Sequence, residues 1–138
     1  MRRLSLLLPL LVAGCGSPTA STPQPSLEFT SSILIGIPTL PAAAVGSEGM
    51  IEVTGVIHTD GTGFSLSGAV TLTSQHTLTL EIEAQDNAPG EPIPSQNYYR
   101  ARLRMLEPGD YDLSVIYDVH SPPPGLRQRV FHETVHVF

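Results

Sequence analysis

Residues 106–115 read LEPGDYDLSV, a turn followed at once by a strand pattern. Pro108 and Gly109 are residue types that reverse the chain, because proline fixes φ and glycine accepts a positive φ. After them, Tyr111, Leu113 and Val115 alternate with polar residues, and this spacing of two places them on one face of a half-buried strand. The stretch therefore predicts a tight corner that leads into a strand of a packed sheet.

The same alternation recurs on both sides of this corner, and no sustained helical period interrupts it. It predicts seven strands, at residues 27–36, 50–57, 64–73, 77–85, 97–106, 111–120 and 129–137. Turn residues separate the strands, chiefly in the stretches 60–63, 86–96 and 121–127. Short strands with turns at near-regular spacing are typical of an antiparallel β-sandwich, and the loops grouped at its end away from the N-terminus are candidates for binding.

The quoted stretch resembles the tyrosine corner of immunoglobulin-like and fibronectin type III-like sandwiches, in the pattern L-x-P-G-x-Y-x-L-x-V. The resemblance implies that Pro108 and Gly109 carry the chain between sheets, while the Tyr111 hydroxyl bonds to backbone near Glu107. It implies a single antiparallel seven-stranded immunoglobulin-like β-sandwich domain over residues 27–138. The cysteine pair and core tryptophan of antibody domains do not occur in this sequence, and a tyrosine corner by itself assigns no function.

The first fifteen residues, MRRLSLLLPLLVAGC, are the second informative stretch. Arg2 and Arg3 precede a short apolar run, and small residues lead to Cys15, as in a secretory signal peptide. The stretch resembles the lipobox of bacterial lipoproteins, which implies cleavage before Cys15 and acylation of its thiol by chains such as palmitate. Residues 1–14 are therefore predicted to be a lipoprotein signal peptide, and the lipid on Cys15 is predicted to anchor the protein in a membrane.

Residues 15–26 connect this lipidated cysteine to the domain. The sequence from Gly16 to Ser26 is rich in proline, serine and threonine and has no large apolar side chain, which predicts a short, disordered tether. Position 16 is glycine rather than the aspartate that resembles an inner-membrane retention signal in enterobacteria. The predicted location is therefore the cell envelope, and the outer membrane if the organism is Gram-negative.

Charge and cysteine content restrict the classes of partner. Without the signal peptide, five basic residues stand against thirteen acidic ones, a net charge of −8. A surplus of acid repels phosphate, which argues against nucleic acid as a partner and against docking on anionic headgroups. Cys15 is the only cysteine, so no disulfide within the chain can stabilise the fold.

The fifth predicted strand alternates apolar residues with three arginines. Its predicted core residues are Tyr99, Ala101, Leu103 and Met105. Arg100, Arg102 and Arg104 then line one exposed strand face. One interpretation is a stripe that binds an acidic partner or polysaccharide carboxylates. The other is cross-strand ion pairing, for which neighbouring strands offer Glu52, Glu81 and Glu83.

Histidine is the other residue type with versatile chemistry, and none of the five histidines belongs to a metal motif such as H-E-x-x-H. If the strands run as predicted, His58, His120 and His132 lie at the end of the sandwich away from the tether. Together with Asp60 or Asp118 they predict a zinc or copper site as one alternative. The other alternative is a set of unrelated surface histidines.

Catalysis is not predicted, because the sequence has no G-x-S-x-G elbow and no nucleophile with a base at a recognised spacing. No cofactor is predicted apart from the covalent lipid on Cys15. The favoured function is a non-catalytic interaction or structural module of the cell envelope, bound to the membrane by its lipid and to an envelope protein partner. The alternative is a metal- or small-ligand-binding periplasmic or surface domain that uses the histidines at the loop end.

Overall fold

The computed structural model describes residues 24–34, 39–87, 90–120 and 125–138, which form eight β-strands and no helix. The strands are β1 Ser26–Leu34, β2 Ala43–Ser47, β3 Met50–Thr59, β4 Phe64–Ser74, β5 Thr77–Asp86, β6 Ser95–Arg104, β7 Gly109–His120 and β8 Leu126–Val137. The predicted signal peptide, Cys15 and the tether up to residue 23 lie outside the described residues. Within those residues, no helix has the length and apolar character needed to span a membrane.

Two four-stranded sheets pack against each other. Sheet A has the strand order β1-β6-β3-β2, and sheet B has the order β4-β5-β7-β8. Alternate residues of both sheets point into one core, where Ile51 and Leu103 of sheet A and Leu80 and Leu113 of sheet B are fully buried. The predicted all-β, sandwich-like architecture is confirmed.

Two features of the predicted fold are wrong. The described residues form eight strands rather than seven, since Ala43–Ser47 pairs with β3 although its sequence AAVGS lacks the apolar alternation that indicates a strand. β5 and β7 pair in parallel, with Leu80 opposite Val115, whereas the sequence predicts antiparallel pairing throughout. The parallel pair arises because the intervening strand β6 belongs to the other sheet, so the chain crosses over and back before it returns beside β5.

The strand directions define two ends of the domain. The tether end carries Pro25, which precedes β1, together with the turns β2–β3, β4–β5 and β6–β7. The far end carries the loops 60–63 and 87–94, which contact each other. The amide of Thr62 donates to the carbonyl of Glu91 at 3.1 Å, and the amide of Asn87 donates to the carbonyl of Gly63 at 3.2 Å. The predicted grouping of these two loops is confirmed, while residues 88–89 and 121–124 lie outside the described residues.

The turn between β6 and β7 agrees with the prediction at Tyr111 but not at Met105. The Tyr111 hydroxyl donates to the carbonyl oxygen of Glu107 at 3.0 Å, and its ring is almost fully buried. Met105 is 67% exposed instead of lying in the core. The reason is that β6 ends at Arg104 and Met105 takes a left-handed conformation with φ of 64°, so that Leu106 is buried in its place.

Candidate functional site

The three predicted arginines lie on the outer face of sheet A. β6 is an inner strand, with β1 on one side and β3 on the other. The register places Glu28 of β1 and Glu52 of β3 on either side of Arg102. The structure thus brings the arginines together with two carboxylates in one surface, here called the Arg–Glu ladder: Glu28, Glu52, Arg100, Arg102 and Arg104.

Each of the five members makes an ion pair, and the pairs form two groups, one around Glu52 and one around Glu28. Arg102 Nε donates to Glu52 Oε2 at 2.8 Å, and Arg100 Nε lies 3.6 Å from the other oxygen of the same carboxylate. One terminal guanidinium nitrogen of Arg104 is 3.1 Å from Glu28 Oε2. The hydrogen bond from Arg102 lowers the pKa of the Glu52 carboxyl, and the nearby charge of Arg100 acts in the same direction. The predicted cross-strand pairing with Glu52 is confirmed.

The ladder keeps hydrogen-bonding capacity that its own carboxylates do not use. A guanidinium has five N–H donors, and within the described residues Arg100 makes only a long contact to a carboxylate that Arg102 already engages. The side chains of Arg100 and Arg104 are 45% and 47% exposed. Three arginines against two glutamates leave a positive charge on an acidic protein. Such a surface can accept a further carboxylate from a partner.

The other two carboxylates predicted to pair with these arginines lie on sheet B. Glu81 pairs with Arg127, which also lies 3.2 Å from Asp118, and Glu83 lies 3.1 Å from Nε2 of His120. This part of the pairing prediction is wrong, because β5 and β6 belong to different sheets.

Of the three histidines predicted as metal ligands, His58 and His120 lie at the far end as predicted, in different sheets, and His132 does not lie there. His58 is near the end of β3 in sheet A, where its Nε2 is 3.1 Å from the hydroxyl of Thr39. His120 ends β7 in sheet B, and His132 lies opposite Ser114, six residues earlier on β7, a distance of about 20 Å at about 3.3 Å per residue. In the part of the chain that the structure describes, no group of three or more His, Cys, Asp or Glu side chains is placed to hold a metal ion.

His132 lies in mid-strand because β8 begins at Leu126, earlier than the predicted start at residue 129. Its Nδ1 is 2.9 Å from Ser114 Oγ, and its Nε2 is 3.4 Å from Asp112 Oδ1. These contacts place a serine, a histidine and an aspartate in a row. The row lies on the outer face of sheet B, with His132 48% and Asp112 52% exposed, so water reaches both groups.

A groove at the far end, here called the far groove, was not predicted from the sequence. It opens between the sheets beyond Ala43, the first residue of β2, where β3 continues without a partner in β2. Its volume is about 340 Å³, which lies within the range of small-ligand sites. Its lining consists of Thr39, Leu40, Pro41, Ala42, Val56, Ile57, His58, Tyr117, Val119, Leu126, Gln128 and Val130. Four separate segments contribute, so no local motif could reveal it.

Tyr117, which lines the far groove, is hydrogen-bonded to Tyr99, which is fully buried and does not line the groove. The hydroxyl oxygens of Tyr99 and Tyr117 lie 2.9 Å apart, and the rings meet edge to face with their centroids separated by 5.8 Å. Gly55 makes this contact feasible, because a Cβ at that position would overlap both hydroxyl groups. Burial raises the pKa of both tyrosine hydroxyls, which therefore stay neutral and can act as donor and acceptor.

A smaller pocket of about 200 Å³, here called the tether-end pocket, lies at the opposite end of the domain. Its lining residues are Pro25, Leu72, Gln75, His76, Met105, Leu106, Glu107 and Tyr111. The ring of His76 packs edge to face on Tyr111, with centroids 5.0 Å apart. The pocket is therefore built on the corner that the sequence predicts, with Pro25 buried beside it.

Comparisons with known proteins add no relative, since no family model, no curated protein and no solved structure matches this chain. Its function has to be inferred from its own residues. The surfaces available for that inference are the Arg–Glu ladder, the far groove and the tether-end pocket.

Proposed function

We propose that this protein is a lipid-anchored lipoprotein of the cell envelope whose β-sandwich is a non-catalytic interaction or structural module. The observation that carries the proposal is the N-terminal run from Arg2 and Arg3 through an apolar segment to Cys15. A lipid on Cys15 supplies the membrane attachment that an acidic domain does not obtain from anionic headgroups. In a Gram-negative organism, glycine at position 16 favours the outer membrane.

The proposed domain type is an immunoglobulin-like sandwich. The hydrogen bond from Tyr111 to Glu107, which the tyrosine corner requires, supports this assignment. The eight strands of the described residues and the parallel β5–β7 pair differ from the predicted seven-stranded antiparallel form. The proposal therefore extends to the corner and the two-sheet arrangement and not to a particular strand order.

The partner proposed for the Arg–Glu ladder is an envelope protein that presents an acidic segment. Its carboxylates would bind the exposed guanidinium groups of Arg100 and Arg104, which keep free N–H donors. Arg102 is less available, because its Nε is already bonded to Glu52. Charge complementarity of this kind favours a defined orientation and a fast association rate.

The test is crosslinking of the lipidated protein in its native envelope, followed by mass spectrometry. Wild type is compared with an Arg100→Glu, Arg104→Glu double variant and with Arg129→Glu, which changes an exposed arginine of sheet B. We expect one recurring partner that the double variant loses and the control retains, with the melting temperatures nearly equal. Equal capture by all three proteins would contradict the assignment of the ladder.

The anchor has a separate test. Cys15→Ser should abolish labelling by a fatty-acid analogue and leave the signal peptide uncut by the lipoprotein peptidase. Normal labelling in this variant would contradict the lipobox. This result is independent of whether the ladder binds a partner.

The far groove supports a second candidate function, binding of a small apolar ligand with one polar group. His58 lies in its lining and hydrogen-bonds to Thr39, so both can orient such a group. An apolar fluorescent dye should bind wild type and lose binding in Val130→Trp, which fills the groove.

A zinc- or copper-dependent thermal shift that disappears in His58→Ala would instead support a metal. The separation of His120 and His132 gives no support to a site made from all three histidines.

A further inference from the structure

We infer that the tether end of the domain is a membrane-contacting surface, and that Met105 is its apolar contact with the bilayer. This inference rests on the proposed lipid anchor at Cys15. It adds an orientation, in which the end that carries Pro25 faces the lipid and the far end faces away. The anchor alone does not require this orientation, since attachment through a linking segment is compatible with others.

The length of chain between the anchor and the domain favours this end. Nine residues lie between Cys15 and Pro25, so the ten residue steps from one to the other span at most about 36 Å when fully extended. The part of β7 from Gly109 to Val119 is itself about 33 Å long. The far end could therefore face the bilayer only with the linking segment stretched along the whole domain, whereas the tether end meets the bilayer without extension.

Met105 has two unfavourable features, and contact with lipid would relieve the first of them. It is 67% exposed although its side chain is large and apolar. It is also the only non-glycine residue with a positive φ in the described part of the chain, and a Cβ disfavours that conformation. Strained residues of this kind persist mainly at functional positions. Burial of the side chain among acyl chains removes its exposure to water.

The surroundings of Met105 fit a shallow apolar contact. Met105 is one of the residues that line the tether-end pocket, which gives the flexible thioether room to move. Phe138, also 67% exposed, lies at the same end, where backbone hydrogen bonds of 3.2 Å hold it to Ser47 and Gly49. A weak contact is sufficient, because attachment at Cys15 makes the docking step intramolecular.

The charges at this end identify the lipid class. Glu48, Glu107 and Asp110 lie in or beside its turns, and these carboxylates outnumber the one arginine there, Arg104, whose charge Glu28 offsets. Carboxylates repel anionic headgroups. The surface therefore matches a zwitterionic bilayer, which it contacts through apolar side chains and not through a basic patch.

The test uses the absence of tryptophan from the chain. Full-length lipidated protein carrying Met105→Trp is bound to phosphatidylcholine vesicles whose acyl chains are brominated and quench fluorescence. The matched control is Leu126→Trp, since Leu126 is 62% exposed and begins β8 at the far end. We expect strong quenching of the tryptophan at position 105 and none at position 126. Replacing part of the lipid by phosphatidylglycerol should reduce quenching at position 105.

Flotation of the vesicles separates failure of this inference from failure of the anchor. If neither variant floats with the vesicles and Cys15 carries no acyl label, the proposed anchor and this inference are both overturned. If both variants float but the tryptophan at position 105 is not quenched, the inference is overturned and the anchor stands. Equal quenching at positions 105 and 126 would overturn the orientation.

Discussion

Replacing Tyr117 with phenylalanine should destabilise the domain more than replacing Tyr99, although the ring of Tyr99 is the more deeply buried. The two hydroxyls share one hydrogen bond of 2.9 Å. Tyr99 is fully buried, so Tyr117→Phe leaves its hydroxyl without a protein partner and without water. Tyr117 lines the far groove, so Tyr99→Phe leaves a hydroxyl that water in the groove can reach.

The magnitudes follow from this asymmetry. Leaving a buried polar group unsatisfied costs about 1–3 kcal/mol, whereas the net loss of a hydrogen bond costs about 0.5–1.5 kcal/mol. We therefore expect the free energy of unfolding to fall by about 2 kcal/mol in Tyr117→Phe and by about 1 kcal/mol in Tyr99→Phe. The double variant has no unpaired hydroxyl and should lose only about 1 kcal/mol, which is a coupling of about 2 kcal/mol.

The assay is equilibrium unfolding in urea, followed by circular dichroism, for wild type, both single variants and the double variant. Tyr98→Phe is the matched control, because Tyr98 is the neighbouring residue on the outer face of β6 and should change stability by less than about 0.5 kcal/mol. Additive losses in the double variant, or a larger loss for Tyr99→Phe than for Tyr117→Phe, would refute the shared buried bond.

Three further predictions concern the core. Tyr111→Phe should cost about 1 kcal/mol or more, because the carbonyl of Glu107 and the hydroxyl of an almost fully buried residue lose their bond; an unchanged urea midpoint would contradict the corner. Gly55→Ala should cost about 1–3 kcal/mol, because its methyl group overlaps two hydroxyls, and full stability would show that the pair can move. Burial raises the folded-state pKa of Tyr99 above its usual 10.0, so the unfolded chain loses this proton first. Stability should then be constant below about pH 10 and fall above it by about 1.4 kcal/mol per pH unit for each such tyrosine, with a shallower slope in Tyr99→Phe; equal slopes would contradict this.

Features that depend on nearby residues could be predicted from the sequence. Alternation identified the buried face of β5, where Leu78, Leu80 and Ile82 are fully buried. The corner at Tyr111 is equally local, since its hydroxyl bonds to a carbonyl four residues away. Both succeed because the pleat of a strand and the geometry of a turn are properties of a few consecutive residues.

The local errors have local causes that a pattern does not show. β2 is built from small residues and pairs with β3 through its backbone, so it carries no apolar signal. Met105 continues the alternation of β6, yet the strand ends one residue earlier and its backbone turns to a positive φ. Alternation indicates which face a residue would take in a strand, but it does not determine where that strand ends.

By itself, the sequence determined the all-β class, most of the core and the corner at Tyr111. It also predicts the N-terminal anchor. Only the tertiary structure decided which strands are neighbours, and with them the candidate sites. It placed Arg102 beside Glu52 and not beside Glu81, separated His120 from His132, and brought Tyr99 to Tyr117. The physical reason is that strand pairing depends on how two whole sheets bury their apolar faces together, which no short window of sequence contains.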